Sequence, residues 1–280
     1  MVLSGKEVAA AIRERVCDKV AALKASGTEP TLAILRVGEK NDDIVYENSA
    51  VREAAKLGIT VKKVILAEGV ELSEVLCAVN DLNNDDSVHG VLMLRPFPKH
   101  LDDELICEAL CPEKDVDGIT AKSAARVYAG RGVGYSPCTA QACMEILGHY
   151  DIDCSGKSAV VLGRSLVIGK PVAMMLMQKN ATVTVCHSKT ENIKEQAKRA
   201  DILICAMGKA KMVDDSWVKD GAYVLDVGMN WDEEKGKLCG DCDYEKIADI
   251  ANATPVPGGV GAVTTVVLMQ NTVHAAENKK

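Results

Sequence analysis

Apolar positions recur along this chain in two alternating rhythms. From residue 6 to 25, Val8, Ile12, Val16, Val20 and Leu23 fall at helical spacing among Lys, Arg, Glu and Asp, which predicts an amphipathic opening helix. Thr31–Val37 reads as a buried strand closed by Gly38. A second helix is expected from about Asp43 to Leu57, stopped by Gly58, because glycine accepts the left-handed conformation that ends a helix. Strand Thr60–Leu66, a helix over Leu72–Leu82 and strand Val88–Leu94 continue a βαβα rhythm, which implies parallel strands with helical crossovers.

Arg95-Pro-Phe-Pro98 then forms a stiff loop at the carboxyl end of a strand, the edge where open α/β sheets bind ligands. A helix over about Asp102–Leu110 leads to Pro112–Gly118, and Tyr128–Pro137 reads as loop. Thr139 is expected to cap a helix over Ala140–Tyr150, and a domain boundary is placed there. Beyond it Ser158–Leu162, Ala181–Val185, Ile202–Ala206 and Ala222–Val227 are short apolar strands. Helices fit at Pro171–Lys179, Asn192–Arg199 and, more weakly, Ser216–Lys219. A last strand near Ala251–Thr254, the loop Pro255–Gly261 and a helix over Thr264–Ala276 close the chain, which shows no internal repeat. The fold class is α/β with two domains.

Composition narrows the function classes. With 280 residues, 48% hydrophobic and 26% charged, the chain can bury two modest cores. Aromatic residues make up 3%, so a base-stacking platform is not expected, and a net charge of −7 argues against general nucleic-acid binding. No apolar run reaches membrane-spanning length and the first residues lack a signal pattern, so a cytoplasmic protein is expected, without membrane partners. Eleven scattered cysteines fit free thiols in a reducing compartment. Cys239-Gly-Asp-Cys242 has CxxC spacing but no second ligand pair, so it is read as a surface turn. His100, His149 and His274 are scattered, Cys138 and Cys205 are read as packed thiols, and no metal site is expected.

The candidate chemistry centres on Val160-Val-Leu-Gly163-Arg-Ser-Leu-Val-Ile-Gly169-Lys-Pro171. Apolar residues lead into a glycine and a helix follows, the outline of a strand, a tight turn and a helix N-terminus that faces a phosphate. Ser165 stands where the dinucleotide fingerprint has its second glycine, and Gly169 comes one residue late. An NAD-selecting unit ends its second strand in a carboxylate. Here that strand runs into Cys186-His-Ser-Lys-Thr190, with no carboxylate, and Arg164 adds a guanidinium suited to phosphate. Gly163, Arg164, Ser165, Gly169, His187 and Ser188 are therefore candidate cofactor residues, and NADP is favoured over NAD.

These motifs, with Asp115-Val-Asp-Gly118, Pro137-Cys-Thr139 and Pro255-Val-Pro-Gly-Gly-Val-Gly261, resemble the methylenetetrahydrofolate dehydrogenase/cyclohydrolase family across nearly the whole chain. The resemblance implies a catalytic domain over residues 1–139, completed by a C-terminal helix over 258–280, and a Rossmann NADP domain over 140–257. It also implies a folate substrate in a cleft between them, and a homodimer. On that resemblance Arg164 and Ser188 hold the 2′-phosphate, and Met229 touches the cofactor through its backbone. Asp117 bonds the pterin, Tyr46 lines the folate site, and Pro257, Gly258 and Gly259 contact folate or nicotinamide.

Two positions depart from the family pattern. The family carries a lysine four residues after the tyrosine, one helical turn on, and here that place is Ala50. The glutamine that partners the lysine falls on Leu94, followed by Arg95. Hydride removal from the methylene carbon needs no proton transfer, whereas hydrolysis of the methenyl product calls for an acid–base group. The expected function is thus an NADP-dependent methylenetetrahydrofolate dehydrogenase with weak or absent cyclohydrolase activity. The alternatives are a bifunctional enzyme with a relocated group, and a silent folate- or nucleotide-binding paralogue. Arg95 is the better relocation candidate, since Lys56 and Arg52 lie off the helical face of Ala50.

Overall fold

The computed structural model describes residues 1–279, which form two compact units. An N-terminal unit comprises Ala11–Cys138 and the chain from Thr265; a central unit comprises Met1–Ala10 and Thr139–Thr264.

The N-terminal unit follows helix α1 (Gly5–Ala25) with β1 (Thr31–Val37), α2 (Asn41–Leu57), β2 (Thr60–Leu66), α3 (Leu72–Asn84) and β3 (Gly90–Met93). Its sheet has the order β2-β1-β3, with both pairings parallel. The central strand β1 is buried at every residue, which is why its sequence is a nearly continuous apolar run. Val75, Val79 and Leu82 of α3 pack with Leu35, Val91 and Met93 to form the core. Helices α4 (Asp103–Glu108) and α5 (Ala121–Ala129) follow. The periodicity of the sequence gives no sign of α5, because its buried positions include the small polar Ser123; the Thr120 side chain caps it, accepting from the Ser123 N–H.

In the central unit α6 spans Cys138–His149. Thr139 lies inside this helix and is not its cap, because the helix already begins at Cys138. Then come β4 (Ser158–Leu162), α7 (Gly169–Gln178), β5 (Thr182–Cys186), α8 (Ile193–Lys198), β6 (Ile202–Cys205) and β7 (Tyr223–Asp226). The expected helix at 216–219 is a single 3₁₀ turn, Asp215–Trp217, capped by Asp214. A short hairpin of β8 (Asn230–Asp232) and β9 (Lys237–Cys239), then α9 (Tyr244–Ile247) and β10 (Asn252–Ala253), precede the last helix α10 (Val260–Asn278), which starts earlier than Thr264. The five-stranded parallel sheet has the order β10-β7-β6-β4-β5. Strand order thus reverses beside β4, the point where such sheets bind ligands.

The Cys239/Cys242 pair corrects the surface-turn reading. Both residues are buried, at 6% and 3% exposure, because Cys242 bridges to Val213 and packs into the core with Cys205.

One charge interrupts the apolar run of β1. Arg36 is buried, and its Nε donates to Glu47 of α2 at 2.8 Å, while Lys63 of β2 reaches the other Glu47 oxygen at 2.7 Å. Removing one partner of a buried pair strands the other charge. Glu47→Ala is expected to lower stability by roughly 3 to 5 kcal/mol, read as a shift in the urea midpoint. A loss within the range of an exposed pair, about 1 kcal/mol or less, contradicts the buried network.

Candidate functional site

The glycine turn after β4 is shaped by two close backbone approaches. Gly163 has φ +127°, and a Cβ there would lie 2.3 Å from the Ala206 carbonyl oxygen. A Cβ on Gly169 would lie 2.2 Å from the Gly163 carbonyl oxygen. The late glycine is therefore the packing glycine of a slightly longer turn, opening α7 against the strand it follows. Ser165 caps this entry, its Oγ accepting from the Ile168 N–H at 3.1 Å and the Gly169 N–H at 3.5 Å.

The loop after β5 stands beside this turn, since Leu162 of β4 is in register with Cys186 of β5. His187 donates its N–H to Thr190 Oγ1 at 2.9 Å, and its Nδ1 accepts from the Lys189 N–H at 3.2 Å. A neutral imidazole in this arrangement carries its proton on Nε2. Arg164, Ser165 and Ser188 are exposed and His187 is half-buried. The structure so brings Gly163, Arg164, Ser165, Gly169, His187 and Ser188 to the ends of two neighbouring strands. Met229, 75% exposed, follows β7, two strands further along the same carboxyl edge. Pro257, Gly258 and Gly259 follow β10 at the far end of that edge. Gly259 is wedged against Pro255, where a Cβ would lie 2.5 Å from the carbonyl oxygen. The cradle at Gly163 and Gly169 and the rim that carries Arg164, His187 and Lys189 fit a dinucleotide with a third phosphate.

In the N-terminal unit, Asp115 organises the turn that carries Asp117. Its Oδ1 accepts from the Ile119 N–H at 2.9 Å; its Oδ2 accepts from the Thr120 N–H at 2.9 Å, Thr120 Oγ1 at 2.8 Å and Ser123 Oγ at 2.6 Å. Gly118 has φ +70°, and a Cβ there would lie 2.6 Å from the Pro137 nitrogen, so this turn presses on the main chain at Ser136 and Pro137. Asn271 of α10 donates to the Val116 carbonyl at 2.9 Å, and the Cys138 thiol donates to the same oxygen at 3.3 Å.

Asp117 gathers Tyr46, Cys138 and Arg95 around it. Burial raises its carboxyl to about 6, against the Cys138 hydrogen bond and the Arg95 charge, which lower it. Burial, then the Asp117 and Cys138 charges, push the Tyr46 phenol up. Ala50 and Leu94 are sealed at 0% and 5% exposure. Neither relocation candidate is a free acid–base group. The Arg95 Nε lies 3.0 and 3.2 Å from the two Asp103 carboxylate oxygens, and the hydrogen bond to Asp103 raises the guanidinium further. Lys56 is exposed and pairs with Glu53 at 3.4 Å. Cys138 is buried as expected of a packed thiol, yet it also bonds Asp117. Asn271, beside it, escaped the sequence reading; a buried amide within the apolar stretch of α10 was its only signal.

A carboxylate that burial makes harder to ionise costs stability when charged. Between its ordinary value near 3.8 and its raised value of about 6, the folded state binds the proton more tightly, so this cost is absent below about 4 and complete above about 6. Asp117→Asn is expected to raise the melting temperature above pH 6, with the gain shrinking as pH falls toward 4. A gain that does not vary with pH contradicts the assignment.

Comparison with known proteins agrees with both halves. Residues 3–117 match the tetrahydrofolate dehydrogenase/cyclohydrolase catalytic domain, and residues 137–280 match the NAD(P)-binding domain of the same family. The chain is 46% identical over 279 residues to "Bifunctional protein FolD 1" of Desulfitobacterium hafniense, covering 99% of each. Among solved structures it is similar to the bifunctional FolD methylenetetrahydrofolate dehydrogenase/cyclohydrolase of Campylobacter jejuni, with TM-score 0.97 and 38% identity, covering 100% of this chain and 99% of the other. It is also similar to the Trypanosoma brucei dehydrogenase-cyclohydrolase complexed with NADP and an inhibitor, with TM-score 0.92 and 33% identity, covering 99% and 97%. The chain belongs to the tetrahydrofolate dehydrogenase/cyclohydrolase family.

Proposed function

We propose that the chain oxidises 5,10-methylenetetrahydrofolate to 5,10-methenyltetrahydrofolate with NADP. The glycine cradle with Arg164 beside the His187–Thr190 loop carries this reading, together with Asp117 and Tyr46 in the unit that matches the catalytic domain. Arg164 and Ser188 grip the 2′-phosphate, His187 lines the same pocket edge, and the backbone at Met229 meets the cofactor. Ionised Asp117 accepts hydrogen bonds from the pterin's amino and amide N–H groups, and Tyr46 packs beside it. Pro257, Gly258 and Gly259 offer backbone to folate or nicotinamide. The nicotinamide ring, when bound, supplies the hydride acceptor. The lone pairs of N5 and N10 stabilise the methenyl product, so the protein's task in this step is positioning.

For the second activity, the names of the relatives favour a bifunctional enzyme over the dehydrogenase alone that Ala50 and Leu94 led us to expect. On the bifunctional reading the proton must move through a group other than lysine. Arg95 stays protonated and Lys56 faces solvent, which leaves Asp117, with its carboxyl raised to about 6, as the titratable group at the site. The buried Ala50 and Leu94 favour the second reading, a dehydrogenase with little hydrolase activity. The fully free set of cysteines supports a cytoplasmic setting, and the exposed edge strand β2, with Ile65 at its surface, supports a homodimer.

One spectrophotometric experiment separates the readings. NADP reduction with methylenetetrahydrofolate tests the dehydrogenase, and decay of the methenyl absorbance tests the hydrolase. If a lysine is needed, Ala50→Lys with Leu94→Gln raises hydrolysis by roughly 10² to 10⁴-fold over the native chain. Native hydrolysis at a rate that the double change does not improve establishes the bifunctional reading. Arg164→Ala is expected to raise the KM for NADP roughly 10- to 100-fold while leaving the KM for folate in place. Equal turnover of the native chain with NAD and NADP refutes the 2′-phosphate assignment.

A further inference from the structure

Two buried aspartates in the central unit have no part in the chemistry above. Asp241 is 0% exposed and lies after β9, yet its carboxylate holds the segment that follows β6. Its Oδ2 accepts from the Met207 N–H at 2.5 Å and the Gly208 N–H at 3.1 Å. Its Oδ1 accepts from the Lys209 N–H at 2.7 Å and Asn230 Nδ2 at 2.9 Å. Asp226, the last residue of β7, holds Asp241 in turn. Its Oδ1 accepts from the N–H groups of Gly228 and Asp241, both at 3.0 Å, and its Oδ2 accepts from the Cys242 N–H at 2.8 Å.

Two glycines make room for this pair. A Cβ on Gly228 would lie 2.3 Å from Asp241 Oδ1, and one on Gly240 would lie 1.8 Å from Asp226 Oδ2. No side chain fits at either position while the carboxylates stay where they are.

The sheet order shows what the tethered segments border. The strands run β7-β6-β4-β5, with the glycine turn at the end of β4 and the Arg164/Ser188 rim on the β5 side. A dinucleotide anchored by a 2′-phosphate on that side crosses the glycine turn toward the ends of β6 and β7. Residues 207–209 and 228–229 are those ends; Ala206, just before them, is the residue whose carbonyl faces Gly163. We propose that Asp241, braced by Asp226, is a positioning residue for the nicotinamide half of the cofactor, fixing the main chain at 207–209 and 228–230 that this half rests on. The inference builds on the NADP reading of the site.

Asp241→Asn puts an amide donor where two main-chain donors now point, without changing the side chain's size. The test titrates native and variant protein with NADP and, separately, with adenosine 2′,5′-bisphosphate, which carries only the half that Arg164 and Ser188 would hold. Loss of charge-assisted hydrogen bonds at the loop is expected to weaken NADP binding roughly 10- to 100-fold and leave the bisphosphate within about 2-fold. In steady state the KM for NADP rises while the KM for folate holds. Equal weakening of both nucleotides, or of neither, in a variant that melts cooperatively overturns the proposal. If Asp241→Asn does not fold, Asn230→Ala removes a single donor to Asp241 and is expected to shift NADP alone by a few-fold, roughly one hydrogen bond's worth; no shift overturns the proposal. A native protein that binds neither nucleotide refutes the cofactor reading itself, a result distinct from the other two.

Discussion

Buried carboxylates that accept main-chain amides shape the candidate sites in both units. Asp115 ties the turn that presents Asp117, and Asp226 with Asp241 ties the segments that leave β6 and β7. Loops at the carboxyl edge of a parallel sheet carry amides that no strand can pair, and a site that binds an organic ligand cannot leave them to water. A carboxylate offers several acceptor positions in one side chain, and bonds to an ion are about twice as strong as neutral ones. The burial cost is visible: it raises the Asp115 carboxyl, and it raises that of Asp226 to about 6. Such a group stabilises the fold fully below the ordinary carboxylate value and loses that contribution as pH rises to about 6. At neutral pH these ions hold loop shape at the expense of stability, an exchange common at functional sites.

The frame of the fold was legible because parallel strands are buried on both faces and so read as apolar runs. β1, β4 and β6 are such runs, and the helices between them show their amphipathic period. Less legible was whatever depends on a partner remote in sequence. Arg36 looks like an anomaly in an apolar strand until Glu47 and Lys63 are placed beside it. α5 escaped because it buries only Ser123 and Val127, too few apolar positions to show a stripe. In the site, the Gly163 turn and Arg164 were readable as a local pattern. Gly240-Asp241 was not, since a glycine beside an aspartate reads as a turn, and the amides it holds lie 32 to 34 residues back in the chain. The CxxC reading failed for the same reason: Cys242 is drawn inward by Asp226 and Val213, neither of which is near it in sequence.

The pair Ala50 and Leu94, which on the family resemblance stands in place of a lysine and a glutamine, is coherent as packing. Replacing only the lysine would leave a glutamine amide facing an apolar neighbour, at a cost of roughly 1 to 3 kcal/mol for an unsatisfied buried group. Replacing both leaves no orphan, and both side chains are sealed in the unit's interior. Arg95, next to Leu94, is a cation near this pair that Asp103 neutralises. Its field reaches Asp117, and it does not itself release a proton.

This difference separates the two half-reactions. Hydride transfer leaves a cation stabilised by the substrate's own nitrogens, so it depends on distance and alignment and is indifferent to the loss of an amine. Hydrolysis adds water to that cation and must then protonate a nitrogen as the ring opens, so it depends on a group whose charge changes near the working pH. A guanidinium changes charge far above that range, whereas the Asp117 carboxyl changes near it. If Asp117 also anchors the pterin, as proposed, a carboxylate accepting two N–H bonds is held ionised by them. On that proposal, anchoring the ring and donating a proton compete for one side chain.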